Sequence, residues 1–253
     1  MKFVRLTFLE QIIILGIRSA QRQFDRSRLG WLWIPTNYLV HVILIGLVFK
    51  FVWQDDTFLL FFSYSYLTWR LLIDPSSEGA NFWRAAHSQV WNIGVQPNIL
   101  VGAWLISDLL KLFLWLIPTL IFTYIFLGNT PINFFSFILS IVFIRIIGFQ
   151  IGYILSFLTA RFWDLSHAVG SLIFMAYLVT PVLWNPSRLD DNHKWLVELN
   201  PLYYFMELPR NLALGYEITS NIYVVSFILL TFLTVLSIYI HRRYSNSVIM
   251  WVS

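Results

Sequence analysis

Cysteine is absent from the 253 residues, which excludes a disulfide framework, a thiolate metal site and a cysteine nucleophile together. Charge is scarce: Asp, Glu, Lys and Arg make up 12% of the chain, against roughly 25% in soluble domains. No G-x-x-x-x-G-K-[ST] segment occurs, so the chain has no P-loop of its own to cradle a nucleotide phosphate. Any ATP must be handled by a partner. The five histidines, His41, His87, His167, His193 and His241, form no H-x-x-x-H or similar pair, and no metal, cofactor or catalytic site is expected from them. The first 30 residues carry scattered charges and no small-residue cleavage site behind a short apolar core, which predicts that they are not a removable signal peptide.

What the chain has instead is apolar length. Hydrophobic residues reach 58% and aromatics 19%, and the mean hydropathy is +0.69. Apolar runs of 18 or more residues are sized for helices that cross a hydrocarbon layer about 30 Å thick. The expected fold is an all-α integral membrane protein of about six transmembrane helices, forming one domain over residues 1–253. The spans are placed at 31–53, 58–73, 99–127, 133–158, 168–184 and 221–240. Before them, Phe3 to Ile17 is interrupted by Arg5, Thr7, Glu10 and Gln11 and followed by Arg18, Arg22, Arg26 and Arg28. That pattern predicts an amphipathic interfacial helix, with residues 1–30 as helix and linker.

Three connections are long or distinctive. Residues 74–96 are polar and open with Asp74, Pro75 and Glu78, the order of an N-cap, an N1 proline and a first-turn acid, so a short helix outside the membrane is expected. Gly128, Asn129, Thr130 and Pro131 form a turn cluster between the third and fourth spans. Residues 185–219 contain Asn185-Pro186 and Asn200-Pro201, and their apolar stretch Leu202–Leu214 is too short to cross, suiting a re-entrant or interfacial helix. Residues 241–253 form the tail.

Charge tests this topology independently of hydropathy. Lys2, Arg5, Arg18, Arg22, Arg26, Arg28, Arg70, Arg84, Arg161, Arg242 and Arg243 fall on one side; Lys50, Arg188, Lys194 and Arg210 fall on the other. Eleven against four predicts that both termini are cytoplasmic, and it accounts for the net charge of +4 without nucleic acid.

Charges inside spans are expensive and therefore informative. Asp108 and Lys111 lie three apart on the third span, and Arg145 lies on the fourth. At about 1.5 Å per residue, Asp108 and Arg145 fall near the same depth. A buried ion cluster of Asp108 with Lys111 or Arg145, locking two helices, is expected; lining a pathway is the rival reading. Gly148 and Gly152, extended by Ser156 at the next helical step, mark a close helix contact, within one chain or between two. The 12 Trp, 12 Tyr and 23 Phe suit lipid anchoring and packing, and their rings also match the apolar C–H faces of sugars.

Ordered along the chain, several short segments resemble one family. Arg26-Ser27-Arg28-Leu29-Gly30-Trp31-Leu32-Trp33 is similar to the entry to the first span in permeases of bacterial polysaccharide ABC exporters. Thr159-Ala160-Arg161-Phe162-Trp163-Asp164 resembles their loop after span four, with Trp163 where arginine is common. Thr180-Pro181-Val182-Leu183-Trp184 and Asn200-Pro201-Leu202-Tyr203-Tyr204, followed by Glu207, Arg210 and Leu214-Gly215, resemble the outer segment before the last helix.

The resemblance is to type 2 ABC permeases of the O-antigen, capsule and teichoic-acid exporters. It implies two copies of the permease with two separate ATPase subunits that hold ATP and magnesium, and a channel for a lipid-linked polysaccharide in the bacterial inner membrane. Residues 74–96 would then form a coupling helix presenting Glu78, Phe82, Trp83 and Arg84 to the ATPase. Tyr203, Tyr204, Glu207 and Arg210 would stand near the periplasmic exit. A type 2 permease for a drug or lipid shares these expectations except the cargo. A membrane-embedded transferase would need an acid or histidine cluster at one membrane face, and the sequence offers none.

Overall fold

The computed structural model describes residues 7–22, 24, 27–127, 134–245 and 247–251, and the regular structure among them is entirely helical. The Gly128–Pro131 turn, Lys2, Arg5 and Arg26 lie outside the described residues. The helices are α1 (Phe8–Arg22), α2 (Trp33–Trp53), α3 (Phe58–Gly79), α4 (Phe82–Ile93), α5 (Pro97–Leu127), α6 (Phe134–Arg161), α7 (Leu165–Val179), α8 (Trp195–Glu198), α9 (Pro201–Leu214), α10 (Ser220–Tyr244) and α11 (Val248–Trp251). Four stretches are long and apolar enough to cross a membrane: Gly30–Trp53, Pro97–Ile125, Phe135–Arg161 and Ser220–Tyr244. They correspond to the expected first, third, fourth and sixth spans.

The second and fifth expected spans differ from the expectation in instructive ways. Helix α3 is too polar to register as a span, because Ser63, Tyr64, Ser65, Tyr66 and Thr68 replace aliphatic residues. It is nevertheless the core of the bundle, with 16 of its 22 residues buried among α2, α5, α6 and α9. Its polar groups are satisfied inside the protein, as burial in a low-dielectric medium demands. Tyr38 of α2 donates to Ser63 O at 2.8 Å, Tyr64 pairs with Thr123 of α5, and Thr68 donates back to Tyr64 O at 2.9 Å. Helix α7 has 15 residues, about 22 Å long. It ends at Val179 instead of Trp184, because Pro181 forces Thr180 into an extended conformation.

Helix α3 also fails to stop where expected. Asp74 does not cap a new helix; it pairs with Arg70 one turn back at 2.9 Å, and the helix runs through Pro75 to Gly79. Proline removes the N–H that would bond to Leu71 O and normally breaks a helix. Here Arg145 Nη1 of α6 donates to Leu71 O at 3.2 Å, so the carbonyl that Pro75 cannot satisfy is satisfied from a neighbouring helix.

That substitution is possible because α6 approaches α3 backbone to backbone. A methyl group on Gly148 would stand 2.6 Å from Leu71 O, and one on Gly152 would collide with Pro75 O. Gly79 answers from the other side, where a methyl would collide with Gly152 O. Gly148 and Gly152 of the small-residue stripe therefore lie against α3 of this same chain.

Helix α1 lies along α5. Gly16 sits against Ile106 and Ala103 O, while Leu9, Ile13 and Ile17 stay exposed as an apolar stripe, the arrangement expected of a helix at a membrane surface. The connections gather at two ends of the bundle. At one end the α2–α3 turn meets residues 180–219 through Arg188, which pairs with Asp55 at 3.0 Å and stacks over Trp53 at 5.0 Å. At the other, α11 returns to α6 and α4, with Val248 buried beside Trp83, Phe157, Ala160 and Ile240.

Replacing Gly152 by Ala tests the close approach. The variant should lose about 1–3 kcal/mol through overpacking against Pro75 O, read as a lower melting temperature in detergent; an unchanged melt would contradict the contact.

Candidate functional site

Charged residues at membrane depth form a layer across α3, α5 and α6. Arg145 reaches Asp108 by two donors: Nε bonds Oδ2 at 2.7 Å and Nη2 bonds Oδ1. Nη2 also donates to Asp108 O at 3.2 Å. Both side chains are almost fully enclosed, 4% and 1% exposed, which makes the bidentate geometry and the extra carbonyl bonds necessary to offset desolvation. Lys111, the other cation considered for Asp108, instead pairs with Glu78 of α3 at 2.5 Å. Glu78 in turn accepts from Trp104 Nε1 at 3.2 Å.

The sequence reading missed the rest of this layer. Arg70, Asp74 and Glu78 stand four residues apart on one face of α3, and that spacing was the available signal. Placing the end of the span at Ile73 separates Arg70 from Asp74 and Glu78 and hides that spacing. Arg70 pairs with Asp74 and stacks over Trp115 at 4.8 Å. Together with Ile34 of α2 and Ile173 of α7, Arg70, Asp74, Glu78, Lys111 and Trp115 line a cavity of about 290 Å3. Three cations and three carboxylates balance across the whole layer.

At the end formed by α4, the four residues expected to present themselves to a partner are engaged within the chain. Glu78 turns to α5. Trp83 is 5% exposed, donates from Nε1 to Ser156 Oγ at 3.1 Å and packs edge-on against Phe157. Phe82 stacks on Trp104 with ring centres 4.8 Å apart. Arg84 lies over Trp163 at 3.5 Å and donates to Ser166 Oγ at 3.1 Å. Trp163 is the residue that departs from the resembling loop, and the stack on Arg84 is what it makes. Among the residues whose exposure is described, Asn81 just before α4 and Ala85 and His87 on it are exposed.

At the opposite end, Asn200 caps α9 by accepting from Leu202 N at 3.0 Å, with Pro201 at the first helical position, and Gly215 ends the helix at φ 73°. This fixes Glu207 and Arg210 on the buried face. Arg210 pairs with Glu207, donates to Pro181 O at 2.8 Å and Ser65 Oγ at 3.2 Å, and lies over Phe61 at 4.5 Å. Tyr203 lines the adjoining cavity, whereas Tyr204 turns away and donates to Glu198 O at 2.9 Å. Beside it, hydrogen bonds from Thr57 and the Arg188 charge hold the Asp55 carboxyl below its ordinary range, so the Arg188 tie stays charged near neutral pH.

No protein-family model matches the chain. Over 229 residues it is 25% identical to an O-antigen export system permease protein RfbA of Klebsiella pneumoniae, covering 86% of this chain and 87% of that protein. A second Klebsiella pneumoniae protein of that description is 24% identical over the same shares. One from Myxococcus xanthus is 23% identical over 200 residues, 77% of this chain and 76% of that one. The likeness seen in short segments thus extends over most of the chain.

The buried pair can be measured directly. Asp108→Asn and Arg145→Gln should each cost about 3–5 kcal/mol, since each strands the other partner. The double variant should cost clearly less than their sum; additive losses would contradict the pairing.

Proposed function

We propose that this chain is the channel-forming permease subunit of an ATP-driven ABC transporter that exports a lipid-linked polysaccharide of the O-antigen type across the bacterial inner membrane. The observation that carries the proposal is the similarity to an O-antigen export permease over 86% of the chain. The absence of a P-loop fits a transport subunit that leaves ATP, magnesium and hydrolysis to a partner. In this reading α2, α3, α5, α6, α7 and α10 are the six spans, both termini are cytoplasmic, and two copies assemble with two ATPase subunits.

Energy must then pass from a subunit outside the bilayer into the helices. Helix α4 is suited to receive it. Trp83 fastens it to α6 and Arg84 fastens it to the α6–α7 loop, so a push on its outer face is delivered to both. Since α6 contacts α3 through backbone at Gly152 and Gly79, those two helices move as one block. Helix α7 fully buries Val169 alone and meets that block through half-buried Ile173, Ala176 and Tyr177, a lighter contact that suits it to shift against the block. The charge layer, already balanced within the chain, gives the block a fixed polar seam instead of a loose one.

The coupling assignment has a two-part test. Ala85→Trp, on the exposed face of α4, should weaken co-purification of the ATPase while the permease itself stays folded. Trp83→Ala should lower the stability of the permease, because it removes the bond to Ser156 and the packing on Phe157. Full ATPase association by a folded Ala85→Trp variant would refute α4 as the docking face.

A further inference from the structure

Residues from three separate stretches line an open cavity of about 330 Å3 at the end of the bundle opposite α4. Phe61 comes from α3, Asn185 to Ser187 from the capped turn after α7, and Tyr203, Glu207, Arg210, Asn211 and Tyr216 from α9 and its C-terminal turn. The volume is at the small end of ligand pockets, which run from about 300 to 1,000 Å3. The lining is polar and aromatic, unlike the lipid-facing groove near Phe227.

Four features describe what would fit. First, Glu207 meets Arg210 through Oε1, while its other oxygen accepts none of the described hydrogen bonds, although the residue is only 5% exposed and lines the cavity. An uncommitted carboxylate oxygen in a small cavity is an acceptor waiting for a donor. Second, Asn185 spends its Oδ1 on Ser187 N and Oγ, at 3.0 and 2.9 Å, which leaves its amide nitrogen as a donor; the Asn211 amide adds a further donor and acceptor. Third, the ring of Phe61 is covered by Arg210, so Tyr203 and the 54%-exposed Tyr216 supply the open aromatic surfaces. Fourth, the one cation and the one carboxylate neutralise each other. A phosphate or uronate would have to displace Glu207 from Arg210, whereas an uncharged polyol can bond to the groups already there.

Close donors and acceptors, an aromatic face and no net charge form a site for an uncharged sugar ring, whose hydroxyls bond at the edge and whose C–H face stacks on the aromatic. We propose that this pocket binds one neutral pyranose unit of the exported glycan at the outer end of the path. The inference rests on the glycan-export reading and deepens it. The pair itself ties α9 to α3 and to Pro181 through Arg210, and the second Glu207 oxygen is the acceptor left for a sugar hydroxyl.

The test uses the full-length protein in lipid nanodiscs with its ATPase partner, and saturation-transfer NMR with four probes: methyl α-D-mannopyranoside, methyl β-D-galactopyranoside, methyl N-acetyl-β-D-glucosaminide and methyl β-D-glucuronide. At least one neutral glycoside should receive saturation and the glucuronide should not. Tyr216→Ala, at the exposed rim, should weaken the signal roughly threefold to tenfold, and Glu207→Gln should weaken it further. Equal transfer to the glucuronide, or binding unchanged in folded Tyr216→Ala protein, would overturn the assignment.

In cells, both variants at normal membrane abundance should slow the appearance of surface glycan by a similar factor. A strain lacking the chain that keeps its surface glycan would overturn the export reading and this cargo with it. Loss of glycan in that strain, with normal export and binding by both variants, would overturn the pocket alone.

Discussion

Arg145 holds three helices at one point. Its guanidinium reaches the Asp108 carboxylate and carbonyl on α5 and the Leu71 carbonyl on α3, with no appreciable exposure of either ionised side chain. The Leu71 bond matters beyond its own strength. It supplies the donor that Pro75 lacks and so allows α3 to continue as helix to Gly79. That continuation carries Asp74 and Glu78 to the positions where they meet Arg70 and Lys111, and it brings Gly79 against Gly152. Without an outside donor at Leu71 the helix would have reason to break at Pro75, and the charge layer would have no scaffold.

Two physical signals made much of this legible in sequence. Hydropathy located α2, α5, α6 and α10 to within a few residues, because those helices are apolar nearly all round. Small-residue spacing pointed to Gly148 and Gly152, which stand against the α3 backbone. What remained hidden depended on partners far away in the chain. Helix α3 looks like a marginal span, yet Ser63 and Thr68 bond its own backbone, Tyr64 meets Thr123 of α5 and Ser65 meets Arg210 of α9. Asp74-Pro75 reads locally as a helix start, and only the guanidinium of Arg145, 70 residues on, makes it a helix interior. Trp83 and Arg84 read as a docking surface until Ser156 and Trp163 claim them.

The two ends of the bundle have different chemistry. Around α4, aromatic stacking and one cation–π contact tie a surface helix to the spans beneath it, which suits the transfer of force. Around α9, a neutralised ion pair, amides and tyrosines line an open cavity, which suits recognition of a polar, uncharged ligand. The backbone-close α3–α6 block lies between them. A transport subunit needs both properties at opposite faces of a membrane, which is what the proposed function asks of this chain.

If this chain moves a lipid-linked glycan with energy supplied by another subunit, transport can be rebuilt from the two purified parts. Purified permease and ATPase would be reconstituted together into proteoliposomes loaded on one leaflet with lipid-linked glycan, and its appearance on the other leaflet followed with a glycan-specific lectin. The account predicts ATP-dependent translocation only when both subunits are present, with the glycan chemically unchanged. Translocation without the ATPase, or modification of the glycan by this chain alone, would contradict it.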